Sequence, residues 1–274
     1  MHYDTLRFET RDHIGWLTIN RPEQHNAVSG QVMLELRDFF GSLDDNLDVT
    51  VLVLRGEGRD FCVGLDLKET PGMEGGLATQ QAIPSHFKPR GFMTQRKFSD
   101  IPIRMRHAPQ PIICSIRGNA IGFGFALALG SDIRLAGETA RFNVGAPRVG
   151  VSYGESGISY FLPRLIGASN AAFYAFTSRF IDARTAERIN LVSQVVPDDK
   201  LEQATEELAR EILKISPFSL RMSKEIFNAS LDASFLDAIR LENRTQLLCG
   251  MTEDMMESVM ANFFEKRAPH YTDE

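Results

Sequence analysis

Residues 50–54 read Thr-Val-Leu-Val-Leu, and residues 111–116 read Pro-Ile-Ile-Cys-Ser-Ile. Neither run alternates polar with apolar residues. Each therefore fits a strand buried on both faces, and with the strand–helix alternation around them this suggests an α/β core. Gly56, Gly58 and Gly64 punctuate the segment after the first run. A glycine-spaced turn, Gly118 to Gly124, follows the second and leads into an apolar helix over residues 123–130. Residues 13–20 and 133–136 read as further strands, and Arg21-Pro22 stops the first of these. Ser29 is a good N-cap for a helix whose Val32, Leu36, Phe39 or Phe40, and Leu43 share one face.

Residues 71–91 carry glycine and proline but few periodic apolar positions. This predicts an irregular excursion, of the kind that can cover a site. From Gly154 onward helices dominate. Leu201, Ala204, Leu208, Ile212 and Ile215 form a helical stripe, and helical patterns continue through 219–228, 234–248 and 252–264. The expected organisation is an α/β core over residues 1–196 and a helical region over 197–274, which either caps the core or packs on another subunit.

Composition narrows the function. Formal net charge is -6 with no dense block of Lys and Arg, which disfavours nucleic acid and anionic membranes as partners. The longest apolar run, near residues 120–130, is too short to span a bilayer. Cys62, Cys114 and Cys249 form no CxxC pair and have no His at metal spacing, so neither a disulfide framework nor a metal site is expected. Met1-His2-Tyr3-Asp4 lacks the basic start and apolar stretch of a signal peptide. The expectation is a soluble, cytoplasmic protein of a reducing compartment.

Five stretches then stand out in order: Asn20-Arg21-Pro22 with Asn26-Ala27; Phe61-Cys62-Val63-Gly64-Leu65-Asp66-Leu67-Lys68-Glu69; Gly118-Asn119-Ala120-Ile121-Gly122-Phe123-Gly124 running on to Ser131-Asp132-Ile133-Arg134; Phe161-Leu162-Pro163-Arg164-Leu165-Ile166-Gly167; and Phe263-Phe264-Glu265-Lys266-Arg267. Together they resemble the signatures of the crotonase (enoyl-CoA hydratase/isomerase) superfamily across almost the whole chain. The resemblance implies a spiral of ββα units with a helical C-terminal trimerisation region, assembled as a homotrimer or a dimer of trimers. It implies an acyl thioester of coenzyme A as substrate, with coenzyme A entering as part of that substrate and no separate cofactor.

Crotonase chemistry develops negative charge on a thioester carbonyl oxygen. Two backbone N–H groups aimed at that oxygen are each worth roughly 2.7–4 kcal/mol of barrier. By the resemblance these are the amides of Leu65 and Phe123. Gly64, Gly122 and Gly124 allow close backbone approach around them, and Phe123 opens a helix whose dipole favours negative charge. Phe123 stands where glycine is usual; its amide survives the change, and its ring is placed to reshape the acyl channel. The resemblance also sets Ala27, Gly64, Leu65, Asp66, Leu67, Lys68, Gly122 and Lys266 along coenzyme A, with Leu67 and Lys68 on its adenine and phosphate side. Asp66 reads as a cap rather than a catalytic acid.

The pattern breaks at two places. Hydratases of the family use a glutamate two residues after Gly124 and another four before Gly150; here those positions are Ala126 and Ala146. Alanine exchanges no proton, so the paired-glutamate mechanism is unsupported. Glu155, in Gly150-Val151-Ser152-Tyr153-Gly154-Glu155-Ser156-Gly157, lies where some family isomerases carry an acidic residue facing the acyl chain. It is the candidate base, with its pKa raised by desolvation. Ser152, Tyr153 and Tyr160 are candidate pocket donors. Cys62 reads as packing rather than a nucleophile, Arg148 as structural, and His86 and His107 lack a motif. Three functions stay open: proton transfer on an enoyl-CoA by isomerisation or hydration, thioester hydrolysis or carbon–carbon cleavage on the same scaffold, and acyl-CoA binding without catalysis.

Overall fold

The computed structural model of the chain describes residues 2–68 and 89–273, with side chains from residue 95 onward in the second stretch. Its strands are β1 (Leu6–Arg11), β2 (Ile14–Ile19), β3 (Val51–Gly56), β4 (Ile112–Ile116), β5 (Asn119–Ile121), β6 (Ile133–Gly137), β7 (Arg141–Asn143), β8 (Ile181–Asp182) and β9 (Gln194–Val196). Six of them form one sheet in the order β1-β2-β3-β4-β6-β9, and β5, β7 and β8 form a smaller one. In the large sheet β1 and β2 are antiparallel, and the other pairings are parallel.

The helices are α1 (Gly30–Gly41), α2 (Pro89–His107), α3 (Phe123–Gly130), α4 (Ile158–Ile166), α5 (Ala168–Thr177), α6 (Ala183–Arg188), α7 (Leu201–Ile212), α8 (Pro217–Ser230), α9 (Phe235–Gly250) and α10 (Glu253–Val259), the last running into a π-helical turn, Met260–Glu265. The two unalternating runs are β3 and β4. Leu52, Leu54, Ile112, Cys114 and Ile116 point into a core shared with α1, α2 and α3. Val51, Val53 and Ile113 point the other way, to Ile14, Trp16, Leu135 and the Leu201 and Ala209 face of α7. α3 is buried on every side, as its all-apolar sequence requires. Ser29 caps α1, accepting from the Val32 N–H.

Sequence patterning missed β1, α2 and the short strands β5, β7, β8 and β9. β1 is a half-exposed edge strand. α2 is largely polar and contains Pro102, but Phe98, Ile101 and Met105 give it a buried stripe. Of the excursion expected over 71–91, residues 71–88 lie outside the described residues, and 89–91 open α2.

Two loops that leave the sheet side by side position everything functional. Cys62 forms a parallel bridge with Ala120, and Val28 forms one with Leu65. The Cys62 N–H donates to the Asn119 carbonyl and the Ile121 N–H to the Cys62 carbonyl, both at 3.0 Å. The buried Asp60 carboxylate ties the loops at their root. It accepts from the Asn119 N–H (2.9 Å) and Asn119 Nδ2 (2.7 Å) and pairs with His25 (2.9 Å). Burial alone pushes the Asp60 pKa up; the hydrogen bonds from Asn119, His25 and Arg59 outweigh it and hold the carboxyl below its ordinary range. The approach leaves no room for side chains. A Cβ on Gly64 (φ +94°) would sit 2.8 Å from the Ile121 carbonyl oxygen, and one on Gly124 would collide with the Cys62 carbonyl.

Gly124→Ala therefore forces the loops apart and is expected to cost about 1–3 kcal/mol of stability. Gly250→Ala, with no atom within 4 Å of the added methyl, is expected to be neutral or stabilising by up to about 1 kcal/mol. Urea unfolding of the two variants beside the parent checks both.

Candidate active site

Several amides in these loops are engaged. The Gly64 N–H points at the Cys62 sulfur, the Asp66 N–H donates to the Val28 carbonyl (3.0 Å), and the Gly122 N–H donates to the Asn143 carbonyl (3.0 Å). Between them, the Leu65 and Phe123 N–H groups have no acceptor among the described residues. Phe123 is the first residue of α3, after Gly122 at φ +53°, so its amide is one of the four a helix leaves unpaired, at the positive end of the dipole. The Phe123 nitrogen lies only 3.5 Å from where a Cβ on Gly64 would be. Two free donors thus belong to loops in van der Waals contact. Fixed N–H donors of this kind stabilise developing negative charge where two of them point at one oxygen.

Glu155 stands beside them. Gly150 (φ +80°) and Gly157 (φ +95°) bound its loop. The Glu155 N–H donates to the Tyr153 carbonyl (2.9 Å), and its own carbonyl accepts from Ile158 (2.8 Å). Its Oε2 lies 3.5 Å from where a Cβ on Gly122 would project. Its carboxylate has no hydrogen-bond or ion-pair partner among the described residues, and burial pushes its pKa up to about 7. The neighbouring Cys62 thiol is raised to about 12, by its own burial and then by the Glu155 charge, against the opposing Gly64 N–H. It packs as a neutral thiol.

The remaining sequence candidates divide. Ala126 and Ala146 are buried and bring no proton-transfer group. The Phe123 ring is fully buried and meets Phe98 of α2 edge-on, centroids 5.3 Å apart, so it is held within the core between α2 and α3. Asp66 accepts from the Lys68 N–H (3.1 Å) and pairs with Arg21 (3.1 Å), which also donates to the Ala27 carbonyl (2.6 Å); it braces a turn. Leu67 and Lys68 are exposed. Lys266 is exposed in the C-terminal turn, its Nζ donating to the Asn262 carbonyl (3.3 Å) rather than to either loop. The Tyr160 hydroxyl donates to Asp232 (2.6 Å), the Ser152 Oγ accepts from Gly154 (3.1 Å), and Tyr153 packs on Phe176. Arg148 donates to the Ser178 carbonyl (2.9 Å), as a structural residue would. His107 is exposed at the end of α2, and His86 lies outside the described residues. Asp60 was missed, although its partner Asn119 lies inside a quoted motif. Among the described residues, no group of three or more His, Cys, Asp and Glu side chains is arranged to hold a metal, and no helix is long and apolar enough to cross a membrane.

Known proteins resemble this chain along almost its whole length. The family model described as Enoyl-CoA hydratase/isomerase matches residues 9–274. A Mycobacterium tuberculosis protein named "Probable enoyl-CoA hydratase EchA12" is 34% identical over 268 residues, covering 96% of this chain and 91% of its own length. A "Probable enoyl-CoA hydratase" of Rhizobium meliloti is 33% identical over 274 residues, covering 99% of each chain. The crystal structure of an enoyl-CoA hydratase from Bacillus anthracis superposes with a TM-score of 0.89 at 28% identity, over 99% of this chain and 100% of that one.

The isolation of Glu155 has a stability signature. With its pKa raised from an ordinary 4.5 to about 7, the folded state binds more protons than the unfolded state between those values. Stability should therefore fall as pH rises from 4.5 to 7. Glu155→Gln escapes that cost. It is expected to match the parent at pH 4 and to exceed it by roughly 1–3 kcal/mol at pH 8.5, read by urea unfolding at the two pH values.

Proposed function

This chain is an enzyme of the enoyl-CoA hydratase/isomerase family, and from that premise we propose that it moves a proton on an enoyl thioester of coenzyme A, with Glu155 as the proton carrier and the Leu65 and Phe123 amides as the oxyanion hole. The observation that carries this reading is the juxtaposition of one unpartnered, desolvated carboxylate with two unpaired amides.

The thioester oxygen would sit between the two N–H groups. Glu155, as carboxylate, takes a proton from a carbon next to the conjugated system. The C–H electron pair moves into a carbon–carbon double bond, and the former π electrons move onto the thioester oxygen. Collapse of this dienolate returns the proton from Glu155 to a different carbon, and the double bond has moved. One carboxylate suffices, because it is base in the first step and acid in the second. A pKa near 7 lets it do both at neutral pH. Hydration asks for a second proton-handling group to place the water, and the methyl groups of Ala126 and Ala146 supply none. Isomerisation is therefore the favoured reaction. The same two alanines favour a second reading, a binder of acyl-CoA without turnover.

Coenzyme A would enter as part of the substrate, along Ala27, Gly64, Leu65, Asp66, Leu67, Lys68 and Gly122. Lys266, on the C-terminal turn, would reach a phosphate from a neighbouring subunit. We read residues 1–196 as the catalytic core and 197–274 as the helical region carrying subunit contacts in a homotrimer or dimer of trimers. Support comes from the apolar side chains that α9, α10 and the final turn leave exposed, including Phe235, Leu247, Met251, Phe263 and Phe264.

Incubation with a panel of enoyl- and dienoyl-CoA esters in deuterated water, read by mass spectrometry, tests the reading. Deuterium incorporation or a moved double bond is expected with the parent, at a rate that rises with pH and levels off above about 7, where Glu155 is ionised. Glu155→Gln is expected to lower that rate by about 10²–10⁴-fold while acyl-CoA affinity is kept. Binding without exchange in the parent favours the non-catalytic reading, and a full-rate Glu155→Gln removes Glu155 from the mechanism.

A further inference from the structure

Beyond the Glu155 loop, a cavity of about 370 Å³ opens between α2 and α4. Ser156 and Gly157, the residues after Glu155, form part of its wall, with Pro102, Ile103, Phe161 and Arg106. Arg106 also lines a second cavity of about 520 Å³ toward α8.

Arg106 belongs to a largely buried charge cluster that does not balance. Asp132 is its carboxylate. It pairs with Arg106 (3.1 Å) and with Lys224 (2.9 Å) and accepts the Ile112 N–H (2.8 Å). Lys224 is satisfied by Asp132 and by the carbonyls of Met105 and Gln110. The nearby buried Arg134 is satisfied by the carbonyls of Leu191 (2.8 Å) and Ser131 (2.7 Å). Two cations, Arg106 and Lys224, therefore share one carboxylate among the described residues, with the cation of Arg134 close by. Other acids on the neighbouring elements are committed: Glu225 to Arg244 (3.1 Å), and Asp232 to Arg164 (3.3 Å) and the Tyr160 hydroxyl.

Arg106 differs from the other two cations. Its guanidinium carries five N–H donors, and Asp132 is its acceptor among the described residues. The guanidinium carbon also lies 5.6 and 5.7 Å from the ring centroids of Phe161 and Phe227. The side chain is only 15% exposed. A desolvated cation with spare planar donors at a cavity wall selects a carboxylate, which a guanidinium can bind through two parallel hydrogen bonds.

We propose that the cavity between α2 and α4 receives the acyl part of the substrate and that Arg106 binds an anionic group at its far end, making the preferred substrate a carboxylate-terminated acyl-CoA rather than a simple fatty acyl-CoA. This rests on the acyl-CoA reading above and narrows it to a substrate class. Pro102, Ile103 and Phe161 take the methylene portion, and Arg106 takes the terminal carboxylate.

Calorimetric titration of the purified full chain with two saturated esters of equal length, hexanoyl-CoA and hexanedioyl-CoA, separates the possibilities, with free coenzyme A as reference. The parent is expected to bind the dicarboxylic ester about 10- to 100-fold more tightly, the effect of one charge-assisted hydrogen-bonded pair. Arg106→Gln is expected to collapse that ratio toward one, and Arg106→Lys to retain part of it. Thermal unfolding of both variants confirms that they fold; Asp132 keeps Lys224 and the Ile112 N–H in either. Equal affinity of the parent for the two esters overturns the proposal, as does a ratio unchanged in Arg106→Gln. A loss of free coenzyme A affinity in Arg106→Gln as large as the loss for hexanedioyl-CoA also overturns it, because the guanidinium would then serve the nucleotide phosphates. Failure of all three ligands to bind the parent removes the acyl-CoA reading itself, and this inference with it.

Discussion

The carbonyl of Cys62 lies against Gly124, and the carbonyl of Ile121 lies against Gly64. That reciprocal contact fixes two loops from adjacent parallel strands at the closest separation backbone allows. The amides of Cys62, Ile121, Gly122 and Asp66 are engaged around it, and those of Leu65 and Phe123 have no acceptor among the described residues. Asp60 sets the contact from below, binding Asn119 in one loop and His25 near the preceding turn. Buried on both faces, β3 and β4 supply a rigid base from which the loops emerge. Unpaired N–H groups taken out of water are costly; in the proposed mechanism these two are kept for an acceptor brought by the substrate.

Glu155 complements them by what it lacks. A carboxylate with an arginine neighbour would have its pKa lowered and would be a weak base. This one has no ionic or hydrogen-bonding partner among the described residues, and burial brings its pKa to about 7. In the proposed mechanism this lets it take and return a proton near neutrality. Cys62, packed beside it as a neutral thiol, adds no competing charge. The alanines at 126 and 146 make the site simpler than a paired-glutamate site, and a single carrier suits transfer between two carbons of one substrate better than addition of water.

Much of this was legible in the residues, for stated reasons. Unalternating apolar runs announced β3 and β4, Ser29 announced the start of α1, and an all-apolar octet announced a buried α3. The glycines at 64, 122 and 124 marked the loops, and Glu155 stood out because the usual acids were absent. What could not be read were relations between distant positions. Among its described side chains α2 buries Phe98, Ile101, Pro102 and Met105, in a largely polar sequence. The short strands exist only because partners hold them. The role of Asp60 depends on Asn119, 59 positions away, and the excess charge at Arg106 depends on α8 bringing Lys224 to Asp132. The contact of the fully buried Phe123 ring with Phe98 likewise depends on α2 packing against α3.

Isotope-edited infrared spectroscopy of an acyl-CoA carrying ¹³C at the thioester carbonyl tests the central claim most directly, since it reads the carbonyl that the Leu65 and Phe123 amides are held to receive. Two hydrogen bonds from fixed amides polarise that carbonyl, so its stretch is predicted to move to lower frequency on binding. The shift should persist in Glu155→Gln, where the donors remain. A bound ester whose carbonyl absorbs at its frequency in water would show that the two amides do not converge on the thioester oxygen, and would contradict the account.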